Sequence, residues 1–392
     1  ARPQPPMPAP EFSQCVAVPA PGDGEPDLRP LAPKPGVFVL EDDRSGTLAL
    51  ATTANIRRAV AARLEPISAV DGPTRRIDYR QLVRAVRALT VGSAFEADWA
   101  YLQIARQHSP GAAALALDRW QSWFVHGDPD ARFPQWTKTA HPTRDGGTHL
   151  GPFADKHAAA RYMDILDDAF DLCRYHHILV QAPHGKACAY KEMGKCPAPC
   201  DGSVSMDQYR EQVRQAITFA STPIEPFRSS LEQRLSGAEQ RHDDGEARRC
   251  RTLLDRTTAA HKPGFAHVDR IEHFRFIAVM ASERAAWARL FVILGGWIEP
   301  LVDLPADAPA PVINEIHQRA ASLGQMPAVL GSPAAQENLS LTCWHLFRPP
   351  KERRRERGRF LKLDDRLTVK MLQQAIRAID KAALSPKPFH VW

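Results

Sequence analysis

Along this chain of 392 residues the spacing of apolar positions changes period several times. Residues 36–51, GVFVLEDDRSGTLALA, hold two short apolar runs on either side of EDDRSG and predict two strands joined by a turn. In 54–64 the apolar residues Ile56, Val60 and Leu64 recur every four positions, which predicts a helix with Arg57, Arg58 and Arg63 mostly on its other faces. Residues 77–89 predict a second helix, with Arg80, Arg84 and Arg87 as a basic stripe. Residues 95–110 predict a third, with Phe95, Trp99 and Leu102 inward and Pro110 at its end. The 133–153 segment reads as strand, turn and strand. Spaced leucines in the highly charged stretch 226–260 predict a helical hairpin. The β-branched and aromatic runs 273–282, 287–301 and 340–347 read as strands, and 311–324 and 368–384 as helices. Residues 1–35 carry eleven prolines and few large apolar side chains, so a mobile tail or linker is expected there.

Composition narrows the function classes only a little. The net charge of +6 and pI near 9.0 suit a nucleic-acid partner, but many enzymes share them. No apolar run reaches membrane-spanning length; the longest, LFVILGGWI at 290–298, is too short and contains a glycine pair. No export signal is visible at the start, and reduced cysteines are expected, which together point to the cytoplasm. Phosphate-loop, H-E-x-x-H and G-x-S-x-G patterns are missing from the sequence.

The stretch 173–200 carries the strongest chemical signal. Four of the seven cysteines, Cys173, Cys188, Cys196 and Cys200, stand in a C-x14-C-x7-C-x3-C spacing. Four thiolates complete one tetrahedral metal site or one iron–sulfur cluster. Pro197 and Pro199 restrict the turn between the last two, and Gly194 permits close backbone approach. Spacing favours an iron–sulfur cluster over zinc, because zinc sites usually have short cysteine pairs at both ends. Zinc, ordinary buried cysteines and two disulfides stay open as alternatives. The odd total, with Cys15, Cys250 and Cys343 scattered, argues against a secreted disulfide framework. His176 and His177 could replace a ligand or simply cap the loop.

GPFADKHAAARYMDILDDAFDLC at 151–173, followed by ACAYKEMGKCPAPCDGSVSMDQYREQVRQAITF at 187–219, resembles the segment after the nuclease domain of UvrC, the bacterial excision-repair incision subunit. The shared pattern is GPF, a helix, a first cysteine, C-x-Y-x-x-G-x-C-x-x-P-C and a second helix. The resemblance implies a [4Fe–4S] cluster on the four cysteines. It also extends over residues 35–153, where PGVF, LALATTANIRRAV and SAFEADWAYLQIARQHSP resemble the successive motifs of the GIY-YIG nuclease domain. That family cuts phosphodiesters with two tyrosines, an arginine, a glutamate and a divalent metal, Mg²⁺ or Mn²⁺. Here those functional positions fall on Phe38, Ala49, Ala59 and Tyr101, and the glycine of the second motif on Ala51. Each change removes the group the chemistry needs. The neighbours Arg58, Glu96 and Asp98 are a residue or more out of register, and one residue on a helix turns a side chain by about 100°. The hairpin at 226–260 falls where UvrC binds UvrB, with Asp244 and Thr252 departing from that motif; packing on the protein itself is an equal reading. The run RPPKERRRERGRF at 348–360 has seven Lys or Arg against Glu352 and Glu356. Its Lys351, Arg353, Arg354 and Arg355, with Arg57 and Arg58, are the candidate DNA contacts.

The fold expected is therefore α+β: a Pro-rich tail (1–35), a GIY-YIG-like small sheet with helices (36–153), a cysteine-cluster module (154–222), a helical hairpin (223–265) and a mixed α/β region (266–392). The expected function is a DNA-repair protein that binds DNA through a degenerate nuclease domain. An active excinuclease making one metal-dependent incision is the first alternative. A non-catalytic metal-cluster scaffold for protein partners is the second.

Overall fold

The computed structural model describes residues 10–66, 77–109, 111, 120–144, 146–221, 224–260, 262–348 and 357–382. The described parts of Ala1–Trp120, Arg275–Pro327 and Ser340–Trp392 form one compact unit, and those of Gln121–Phe274 with Ala328–Leu339 a second. The span 36–153, expected as one domain, is thus divided near residue 120.

The first unit begins inside the segment expected to be a tail. Gln14–Ala17 is a strand (β1), and Val16, Val18 and Leu31 are buried. These few apolar residues suffice because they add to a core formed elsewhere. Gly36–Glu41 (β2) and Thr47–Thr53 (β3) form the expected hairpin. Gly36 is required by close approach: a Cβ there would lie 2.1 Å from the Leu89 carbonyl oxygen. Ile56–Leu64 (α1) starts where the Asn55 side chain accepts from the Arg58 N–H at 3.0 Å. The helix expected over 77–89 is instead one turn, Tyr79–Leu82 (α2), followed by a strand, Ala85–Thr90 (β4). Its alternating burial at Val86, Ala88 and Thr90 is a period of two, which outweighs the arginine stripe. The sheet order is β1-β4-β2-β3, antiparallel throughout. Ala94–His108 (α3) is capped by Ser93, whose side chain accepts from the Glu96 N–H at 3.1 Å.

The second unit opens with Trp123–Gly127 (β5), then Trp136–Thr139 (β6) and Thr148–Phe153 (β7). Lys156–Ala169 (α4), the one-turn helices His176–Leu179 (α5) and Ala189–Glu192 (α6), and Met206–Ser221 (α7) follow. Ile224–Gln240 (α8) and Asp244–Ala260 (α9) make the expected hairpin. Asp269–Arg270 (β8) adds to the edge of β7, giving the order β6-β5-β7-β8. Val125, Leu150, Phe153, Tyr162, Leu166 and Tyr209 lie in the core between this sheet and its helices.

The chain then returns to the first unit. Arg275–Ala281 (β9), Trp287–Leu294 (β10) and Trp297–Pro305 (β11) form a meander, then Ala310–Gly324 (α10). The strand expected at 340–347 is the end of a helix, Pro333–Phe347 (α11). Residues 338–343 are all buried, so the helix shows no apolar stripe to reveal its period. Gly358–Lys362 (β12) pairs with β9 in the order β11-β10-β9-β12, and Val369–Ala382 (α12) closes the chain's described part. Among the described residues no helix is long and apolar enough to cross a membrane.

Candidate functional site

The cysteine stretch is held between α4 and α7. The Asp155 side chain caps α4 by accepting from the Ala158 N–H at 2.7 Å. After α4 the Cys173 N–H donates to the Tyr209 hydroxyl on α7, 3.0 Å away. The loop beyond it is pinned where the Gly185 N–H donates to the Cys200 carbonyl at 2.8 Å. Gly194 (φ +64°) and Ala198 (φ 57°) take left-handed backbone, turning the chain on either side of Cys196. Lys191 Nζ lies 2.6 Å from Asp201 and 2.5 Å from Ser203 Oγ, closing the loop from outside.

All seven cysteines are free thiols. Cys196 and Cys200 are buried, while Cys173 and Cys188 are half-buried. The Cys173 thiol hydrogen-bonds to Cys196, which pulls the Cys196 thiol down to about 7 and pushes that of Cys173 up. Burial, then the charges of Cys196, Asp201 and Cys188, raise Cys200. Among the described residues no group of three or more His, Cys, Asp or Glu is gathered closely enough to hold a metal ion. Four thiols along one loop are donors of the type that a thiolate-held group uses, and the Cys173 Sγ donates to the Tyr175 carbonyl at 3.7 Å. His177 packs on Tyr175 at 5.6 Å, and His176 opens α5.

The positions inferred for nuclease chemistry lie in the first unit. Phe38 is fully buried among Leu40, Ile56 and Val60, with Ala49 and Ala51 packed at the margin. Ala59 is on the inner face of α1, and Tyr101 is half-buried on α3. The neighbouring carboxylates are engaged elsewhere. Glu96 is buried, ion-paired with Arg289, and accepts from the Gly92 N–H at 3.0 Å; burial raises its pKa. Asp98 lies 3.0 Å from His345 and 3.5 Å from Arg348. The inference from sequence did not single out Arg63 and Tyr79. Arg63 is one helical turn beyond Ala59, and its guanidinium stacks 5.0 Å from the Phe38 ring centre; Tyr79 packs on the same cluster. The i, i+4 spacing of Ala59 and Arg63 was the available signal.

Among the candidate DNA contacts, Arg58 is exposed, while Arg57 donates to the carbonyls of Leu31 (2.8 Å) and Arg29 (2.7 Å). Lys351, Arg353, Arg354 and Arg355 lie outside the described residues. In the hairpin, Arg234 pairs with Glu246 and Arg251 with Glu239, each at 2.5 Å. One face is occupied: Leu231 and Leu253 bury against Ala169, and Arg256 donates to the Asp168 carbonyl at 2.8 Å. Asp244 and Thr252 are exposed.

Residues 122–219 match the family model described as the UvrC/Cho excinuclease middle domain. The chain is 25% identical to the UvrABC system protein C of Trichlorobacter lovleyi over 237 residues, 60% of this chain and 39% of that protein. It is 24% identical to that of Nautilia profundicola over 301 residues, 75% of this chain and 48% of that protein. With the Acetivibrio thermocellus protein the identity is 20% over 275 residues, 70% of this chain and 44% of that one. The chain spans less than half the length of the curated relatives it matches. No solved structure matches it significantly.

Proposed function

We propose that this chain is a UvrC-like protein of nucleotide excision repair that binds DNA, holds a [4Fe–4S] cluster and no longer cuts. The observation carrying the reading is the match over 122–219, which encloses all four cysteines of the loop. Cys173, Cys188, Cys196 and Cys200 would hold the cluster, which when bound supplies a redox-active anchor for the loop. Zinc is the alternative occupant. The chain's own residues contribute positioning: Tyr209 fixes Cys173, and Gly185 fixes Cys200.

The loss of cutting rests on the GIY-YIG-like reading of residues 36–153. A buried phenylalanine and two alanines offer no hydroxyl to activate water and no charge to stabilise a departing phosphate. Removing one such donor from an active site slows reaction by roughly 10²–10³. The stacking of Arg63 on Phe38, beside Tyr79, favours one second reading. In it a rebuilt constellation makes a single incision with Mg²⁺ or Mn²⁺. The outer face of the α8–α9 hairpin is the proposed contact for a UvrB-like partner; a scaffold without DNA affinity would use the same face.

A nicking assay tests this. Anaerobically purified protein is mixed with a damaged duplex and Mg²⁺ or Mn²⁺, with and without UvrA and UvrB. A gel shift without nicks is the expected result. Metal-dependent nicks abolished by Arg63→Ala would establish the incision reading instead. Neither shift nor nicks would leave the scaffold.

A further inference from the structure

The cysteine loop carries an exposed aromatic row that its core does not use. Tyr175 is 41% exposed, and its ring centre is 5.7 Å from Tyr190 and 5.6 Å from His177. The Arg174 guanidinium lies 4.6 Å over Tyr190. Met193 in the same loop is 59% exposed and Val180 41%. Large apolar side chains on a surface mark contact sites when they cluster. Of the four cations between residues 174 and 195, Arg174 is ion-paired with Asp168 and Lys191 with Asp201, which leaves Lys186 and Lys195 against Glu192. Lys191 is engaged by Asp201, whereas Lys186 is exposed to solvent.

We infer that this row is a stacking platform for unpaired DNA bases, with Tyr175 as its outermost ring and the loop lysines facing the phosphates. Exposed rings accept any base through its π-face, and an adjacent positive surface follows the backbone. A protein partner would gain from the aromatics but not from Lys186 and Lys195, which have no ion-pair partner among the described residues. These two lysines are therefore what favours a polyanion. The inference rests on the DNA-binding reading above and names the strand state that this loop takes.

The test is fluorescence anisotropy of the full chain, purified anaerobically, with labelled oligothymidylate and with a fully paired duplex. Tyr175→Ala should lose roughly tenfold in affinity for oligothymidylate, the loss of one stacked base. Its affinity for duplex should be unchanged, and Tyr175→Phe should bind as the unaltered protein. Lys186→Ala should lower the salt slope on oligothymidylate by about one. Equal oligothymidylate binding by Tyr175→Ala and the unaltered protein, with duplex binding intact, overturns the platform and leaves the DNA-binding reading standing. Equal losses on both DNAs in Tyr175→Ala and Tyr175→Phe would show a structural role and also overturn it. If the unaltered protein binds neither DNA, the DNA-binding reading fails and the platform fails with it.

Discussion

The Cys173 N–H is bonded to the Tyr209 hydroxyl across 3.0 Å, so the first cysteine of the loop is positioned by the helix that follows the last. Tyr209 is almost fully buried, and burial keeps its hydroxyl protonated. Tyr209→Phe leaves the Cys173 N–H unpaired in a half-buried site. We expect a loss of about 1–2 kcal/mol in a urea titration, with faster bleaching of cluster absorbance in air. An unchanged midpoint together with unchanged bleaching would show that the bond does not position Cys173.

The four cysteines should behave as one set. Cys173→Ser, Cys188→Ser, Cys196→Ser and Cys200→Ser should each abolish the brown colour and most of the bound iron. Cys15→Ser, at an exposed position remote in sequence, should keep both. Metal analysis of the unaltered protein separates the occupants: about four irons with sulfide for the cluster, or about one zinc and no colour. A Cys188→Ser protein with full iron content would remove that residue from the ligand set.

Phe38 tests the proposal that the nuclease site is degenerate. Phe38→Tyr restores the hydroxyl found at that motif position in the nuclease family. The ring is enclosed by Leu40, Ile56 and Val60, so the new hydroxyl would lack a partner. The expected outcome is destabilisation by about 1–3 kcal/mol and no nicking. Nicks from the Phe38→Tyr protein would mean that the rest of the constellation is present.

The cysteine loop stood out in the sequence because its four thiols are close together and chemically distinctive; among the described residues no three candidate ligands are gathered closely enough to hold a metal ion. The hairpin at 226–260 was legible from leucines at helical spacing. The errors have physical causes. Residues 85–90 alternate in burial, but Arg84 and Arg87, three apart, imitate a helical stripe. Ser340 to Phe347 contains β-branched and aromatic residues inside a helix that Ser332 starts; its Oγ accepts from the Ala335 N–H at 3.1 Å. Almost every side of that helix segment is covered, so no polar face marks its period. The strand Gln14–Ala17 was hidden by prolines on both sides, yet it needs only an edge to pair with, and β4 supplies it. Arg63 was placed with the other arginines away from the apolar face, whereas its guanidinium stacks on the Phe38 ring, because only a single motif position was sought for the arginine rather than a helical face.

The last prediction concerns pH and uses a carboxylate that serves no proposed ligand role. Asp167 is buried on α4 with Oδ1 lacking a hydrogen-bond partner. Burial outweighs the attraction of Arg174 and raises its pKa to about 7 from 3.8. The folded state therefore binds this proton more tightly than the unfolded chain does. Its contribution is fully present below about pH 4 and is lost as pH rises towards 7, where the buried carboxylate must ionise. Asp167→Asn keeps the shape of the protonated acid and cannot ionise. We expect its urea midpoint to match that of the unaltered protein at pH 4 and to exceed it at pH 8, by about 2 kcal/mol. The direction decides the matter: if Asp167→Asn were the less stable protein at pH 8, the ionised carboxylate would be paired with Arg174 strongly enough to repay its burial.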